Sequence, residues 1–172
     1  MCVAQVLTAL QTAHAMVPAL VHRDVHPGNV VWCADTARAT LIDWAEARRE
    51  DAADGAVHSR WSVGLHEYRA PEAGRHMSRA CDVWALAVVA RELFLGTRPA
   101  PQSGVSLQAL LSPPPAAPFA AASAALNADV GAVSTSGHRR ELGRLLDQCT
   151  DRERSASTRP TAVALLDALR SC

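Results

Sequence analysis

The chain contains no lysine. All 17 of its cationic residues are arginine, set against 17 Asp and Glu, so no lysine-dependent chemistry is open to it. Because the charges cancel, nothing points to a nucleic-acid partner or a membrane surface. Cysteine is sparse and scattered. Cys2, Cys33, Cys81, Cys149 and Cys172 form no C-x-x-C pair, and no signal peptide opens the chain. The expectation is reduced thiols in an intracellular protein, cytoplasmic or nuclear. Long apolar runs are also missing. The longest, around Ala85 to Leu95, is interrupted by Arg91 and Glu92 and falls short of the ~20 residues that cross a bilayer, so it reads as a core helix. No repeat stands out at a period of roughly 20 to 50 residues.

What is present fits one domain. A chain of 172 residues buries roughly two thirds of its unfolded surface. Val3, Val6, Leu7, Leu10 and Val17 keep helical spacing, with an end expected near Pro18. The sequence therefore opens inside a helix, which suggests a partial chain. A polar turn follows, then a short apolar hairpin (VVW, later TLI), then LIDWAEAR. Residues 49–72 show no sustained period and read as a long, mobile loop, with Arg48, Arg49, Glu50 and Asp51 as a solvated charge run. Cys81 to Leu95 is apolar nearly all round, implying a helix buried on most sides, and Gly96 and Pro99 stop it. Residues 100–137 turn to Ala, Pro and Ser and read as an insertion, its Pro113–Pro118 run a spacer. Two amphipathic helices are expected over Arg139–Cys149 and Thr161–Leu169.

The chemistry concentrates between Val21 and Asp43. Asp24 sits in the polar turn, Asn29 lies five residues on, and Asp43 closes the hairpin. Any one of them alone is a turn former. Together they suit phosphoryl transfer, which asks one carboxylate to take a hydroxyl proton, and an Asn plus a second carboxylate to hold Mg²⁺ against phosphates. His22 and His26 also make an H-x-x-x-H. Pro27 and Gly28 directly after them argue against the helix that a zinc site of that spacing needs.

The same residues resemble the C-terminal lobe of the eukaryotic protein kinase family. HRDVHPGN at 22–29 looks like its catalytic loop, DWA at 43–45 stands where D-F-G belongs, and YRAPE at 68–72 matches the end of the activation segment. DVW at 82–84 and RP at 159–160 resemble the starts of its central and last helices. The resemblance implies a mostly α, kinase-like C-lobe over residues 1–172, with a small β-hairpin at the catalytic loop and no N-lobe. It makes Asp24 the catalytic base, Asn29 and Asp43 the Mg²⁺ ligands, and Arg23 a cation for a phosphorylated loop residue such as Ser59, Ser62 or Tyr68. His26 replaces the catalytic-loop Lys. Val30 and Trp32 would floor the adenine of ATP. Glu72 and Arg159 would pair in the interior, and Asp82 would brace the catalytic loop.

Several positions depart from the family. Trp44 replaces Phe, Ala45 replaces a Gly and thereby restricts the backbone beside Asp43, and Leu65 stands where Ser/Thr kinases place Thr. No G-x-G-x-x-G occurs, and the strand lysine is absent with every other lysine. Three functions follow. The first is a partial protein kinase domain that transfers phosphate from ATP to a protein Ser/Thr hydroxyl in its intact form. The second is an inactive pseudokinase lobe that binds a partner protein. The third, favoured by His26, is a relative of the small-molecule phosphotransferases.

Overall fold

A computed structural model describes residues 2–59, 63–95, 136–151 and 156–170. Ser62 and nearly all of the 100–137 stretch lie outside them. Four helices occur among the described residues: α1 (Cys2–His14), α2 (Arg79–Leu95), α3 (Ser136–Cys149) and α4 (Ala162–Arg170). Four short strands form two antiparallel pairs. β1 (Leu20–Val21) pairs with β4 (Arg48–Arg49), and β2 (Val30–Cys33) with β3 (Arg38–Leu41).

Helix α1 ends at His14, before the expected Pro18, and the chain then bends through a cis Val17–Pro18 peptide. Its apolar positions Val3, Val6, Leu7 and Leu10 are all buried, as 3.6-residue spacing requires. Against them pack Leu165 and Leu166 of α4, Leu146 and Cys149 of α3, and Leu86, Val89 and Leu93 of α2, in one contiguous core. A second cluster joins Val21, Val57, Ala70, Ala73, Met77, Cys81 and Trp84. Helix α2 thus contributes to both. A helix with two buried sides needs apolar residues around most of its circumference, which is the pattern its sequence shows.

The segment after β4 carries little regular structure but is tied down. Val57 bridges Met77, Asp51 N–H donates to the Ala56 carbonyl at 2.7 Å, and a 3-10 turn covers His66–Tyr68. Glu50 does not belong to a solvated run. It is 4% exposed, accepts the Arg79 backbone N–H at 2.7 Å and pairs with the Arg79 guanidinium at 2.7 Å. A carboxylate there satisfies an otherwise unpaired N–H at the start of α2. The charge run hid this because burial comes from the tertiary contact alone.

Candidate active site

The 22–29 loop is held from behind. Asp82, 1% exposed on α2, accepts the His22 N–H and the Arg23 N–H at 2.8 Å each, and sits 2.9 Å from His14 Nε2. Arg23 needs that grip because its φ is +75°, a left-handed conformation that costs a non-glycine residue of the order of 1–3 kcal/mol. His22 is fully buried, meets Trp44 edge-on at 4.5 Å between ring centroids, and has both ring nitrogens engaged. Its Nδ1 accepts the Asp24 N–H at 3.3 Å, so Nε2 carries the proton and donates to the Ile42 carbonyl at 3.1 Å. Neither nitrogen is left for a metal, and no cluster of three ligating side chains occurs among the described residues.

The loop brings Asp24, His26 and Asn29 together. Asn29, buried at the end of a 3-10 turn over Pro27–Asn29, donates Nδ2 to the Asp24 carbonyl at 2.9 Å and to its Oδ2 at 3.2 Å. That leaves the amide oxygen as the open acceptor. His26 caps the turn: its Nδ1 accepts the Gly28 N–H at 3.1 Å, so Nε2 is protonated and faces Asp24 Oδ1 at 3.4 Å. The His26 ring that faces Asp24 Oδ1 is the main cause that holds the Asp24 carboxyl below its usual range. Burial opposes it, and Asn29 and His22 add to it. Asp24 is therefore ionised at neutral pH, and the His26 ring is turned toward this carboxylate.

Asp43 follows the hairpin directly. The Ile42 N–H donates to the Asn29 carbonyl at 2.8 Å, which seats the start of the 43–45 turn beside Asn29. Asp43 is exposed and left-handed at φ +60°, a region that Asp tolerates. Ala45 is absent from the positive-φ residues, so the glycine freedom expected to matter there is not used. Trp44 packs against the core and donates Nε1–H to the Leu41 carbonyl at 3.2 Å.

The two residues expected to floor the adenine face inward. Val30 is 5% exposed in the core, and Trp32, on the same strand face, packs against that core. Strand alternation turns the next residue outward. Val31 is 47% exposed opposite Thr40, and Ile42 follows on that same outer face at 39%. The alternation was readable in the sequence, but which parity faces the core was not.

Arg23 is buried with Nη1 donating to the Glu46 carbonyl at 3.0 Å. Burial first, and the like charge of Arg48 second, lower its pKa. Tyr68 is 4% exposed with its hydroxyl donating to Glu92 at 2.6 Å, which removes it from the accessible hydroxyls; Ser59 is exposed. Glu72 and Arg159 meet through two hydrogen bonds, one of 2.9 Å, with Arg159 4.8 Å over the Trp84 ring.

Gly64, which sequence reasoning passed over, presses on the loop. A Cβ there would lie 2.9 Å from the Arg23 carbonyl oxygen, and its φ is +88°. Arg69 fixes it further by donating Nη2 to its carbonyl at 2.6 Å. Gly64→Ala should cost about 1–3 kcal/mol, read as a lower denaturant midpoint at unchanged m-value. An unaltered midpoint would show that residues 63–65 can lift away from the loop.

Among known proteins, residues 1–168 match the Protein kinase domain family. The chain is 36% identical over 132 residues to "Serine/threonine-protein kinase Pkn1" of Myxococcus xanthus, covering 71% of this chain and 19% of that protein. It is 38% identical over 115 residues to "Serine/threonine-protein kinase PknA" of Mycobacterium tuberculosis, covering 64% and 26%. With "Mitogen-activated protein kinase 13" of Homo sapiens it shares 33% identity over 96 residues, covering 54% and 24%. The chain thus spans about a fifth to a quarter of the length of the relatives it matches.

Proposed function

Because this chain belongs to the protein kinase family, we propose that it is the C-terminal lobe of a kinase domain which, in its intact form, moves the γ-phosphate of ATP to a Ser or Thr hydroxyl of a protein. Residues 100–137 are an insertion within that lobe. The observation that carries the reading is the bonding of Asn29 to Asp24, with the Asp43 turn seated on the Asn29 carbonyl. A scaffold has no chemical need for an Asp24–Asn29 pair bonded to each other beside the turn that carries Asp43.

The residues fit the group that the reaction requires. Two hard oxygen donors, the Asn29 amide oxygen and the Asp43 carboxylate, suit Mg²⁺, which takes few protein ligands and shares phosphate oxygens. Mg²⁺–ATP supplies the phosphoryl group and neutralises its charge. Asp24, ionised and held by His26 and Asn29, takes the proton from the acceptor hydroxyl. Val31 and Ile42 offer the apolar platform for the adenine, in place of Val30 and Trp32. Arg23 and Arg48 together form a cationic site for a phosphate on Ser59 or a neighbouring hydroxyl.

Metal binding is testable on the chain as it stands. Mn²⁺–ATP should broaden the NMR signals of Asn29 and Asp43, and Asp43→Ala should weaken that binding at least about tenfold, the loss of one charged ligand contact. Transfer itself is tested by joining the chain to the N-terminal lobe of a serine/threonine kinase and assaying a protein substrate. Asp24→Asn should cut the rate by about 10²–10⁴. Transfer unaffected by that change would overturn the role given to Asp24. A second reading, a partner-binding scaffold, draws support from the missing lysine and the exposed Val31–Ile42 pair. It becomes the better one if the joined protein binds Mn²⁺–ATP but transfers nothing.

A further inference from the structure

One antiparallel bridge joins the loop after β4 to the approach of α2, and in it the Val57 N–H donates to the Met77 carbonyl at 2.7 Å. Antiparallel pairing sets the residue after one partner against the residue before the other, so His58 stands opposite His76. Side chains so placed share a face, with Cβ atoms about 4.5–5.5 Å apart. Val57 and Met77 are buried in the second core cluster, and alternation turns both histidines to solvent, where each is exposed. We infer that His58 and His76 together bind a divalent transition metal such as Ni²⁺, Cu²⁺ or Zn²⁺, with Asp54 orienting the His58 ring.

The bonding around Asp54 prepares the first ligand. Asp54 Oδ2 lies 3.0 Å from His58 Nε2, and its Oδ1 accepts the Ala56 N–H at 2.9 Å. The Ala56 bond is the main cause that holds the Asp54 carboxyl below its usual range. Partial desolvation opposes it, and His58 and His76 lower it further. An ionised carboxylate only accepts, so the His58 nitrogen facing it carries the proton and Nδ1 keeps the lone pair. A carboxylate on the other ring nitrogen is the usual company of a metal-bound histidine, because it fixes the tautomer and raises the basicity of the ligating nitrogen.

The second ligand is available. The exposed His76 ring makes no hydrogen bond or ion pair with the described residues, and it is close enough to Asp54 to lower that carboxyl. No group of three ligating side chains forms among the described residues, so the site offers two protein ligands and water fills the rest of the shell. Imidazole nitrogens suit transition metals, whereas Mg²⁺ and Ca²⁺ take oxygen. The pair shares no residue with the Asn29–Asp43 donors, and the inference does not rest on phosphoryl transfer.

Ni²⁺ is the probe, added to the full chain with Mg²⁺ in excess and followed by ¹⁵N NMR. Its unpaired electrons should broaden the amides of residues 57, 58, 76 and 77 saturably, ahead of those around His26 and His66. His58→Ala and His76→Ala should each weaken binding at least about tenfold, since losing a ligand costs no less than losing the group that orients one. Both side chains are exposed, so the unfolding temperature without metal should hold. Asp54→Ala should weaken binding about 10–100-fold, and Asp54→Asn less, because its amide oxygen still accepts the Nε2 proton. Broadening centred on other residues, or undiminished binding after either histidine is replaced, would overturn the pair. Equal binding by wild type and Asp54→Ala would overturn the orienting role. None of these readouts depends on ATP, so the metal site and the proposed activity can fail separately.

Discussion

Arg159→Ala should destabilise the chain by about 3 kcal/mol at neutral pH, the lower end of what a stranded partner of a buried ion pair costs. The lower end applies because Glu72 keeps 21% of its side chain exposed, while Arg159 keeps 1%. Two contributions add. Removal of the guanidinium leaves the Glu72 carboxylate half-desolvated without its two hydrogen bonds, and it empties the space over Trp84 that the cation fills at 4.8 Å. For a chain of this size the expected fall in melting temperature is about 6–12 °C.

The deficit should depend on pH in a definite direction. Burial pushes the Glu72 carboxyl up, but the hydrogen bonds and charge of Arg159 outweigh it, and the net shift is below the ordinary 4.5. A depressed carboxylate stabilises the fold above its unfolded pKa and loses that contribution as pH falls through the folded one. The gap between wild type and Arg159→Ala should therefore be full at neutral pH and close below pH 4.5. Denaturant midpoints at several pH values would show it. A gap that stays constant down to acid pH would assign the loss to packing on Trp84 alone.

Much of the helical frame was readable because it repeats a period. Leu7, Leu10, Leu146 and Leu165 announce their buried faces by spacing, and the all-apolar Val83–Ala90 stretch announces a helix with no outer face. The Asp24–Asn29 contact is local for a different reason: the two lie five residues apart, so one turn suffices to join them, and the hairpin returns the chain at Ile42 to the Asn29 carbonyl. What escaped was set by partners far along the chain. Glu50 looks like a surface charge until Arg79, 29 residues away, closes on it. His14 looks like the last residue of an ordinary helix until Asp82, 68 residues away, meets its ring. Val30 and Val31 are the same side chain in the same strand, and only the packing of α1 against β3 decides which one is interior.

Asp82→Asn tests the most consequential of these long-range contacts. One carboxylate receives three donors from two different segments: the His22 and Arg23 amides and the His14 ring. An amide of the same shape can offer one oxygen only. Whichever way it turns, its NH₂ points at a donor, so at least one buried N–H loses its acceptor and the others lose the charge that strengthened them. Each unsatisfied buried donor costs about 1–3 kcal/mol, and each hydrogen bond to a charged group about 1.5–3. A loss of about 3 kcal/mol follows, and it should fall locally before it falls globally. Arg23 holds φ +75° only while its amide is anchored, so release lets the turn relax toward ordinary dihedrals and carries Asp24 away from Asn29. Hydrogen exchange at His22 and Arg23 should accelerate by about two orders of magnitude, the kinetic equivalent of that energy, with the amides of the α1–α4 core changed less. Uniform acceleration across the chain would mean that Asp82 supports the fold as a whole and has no special hold on the loop. Acceleration confined to the loop would show the reverse: the strained turn that presents Asp24 is maintained from the interior of α2.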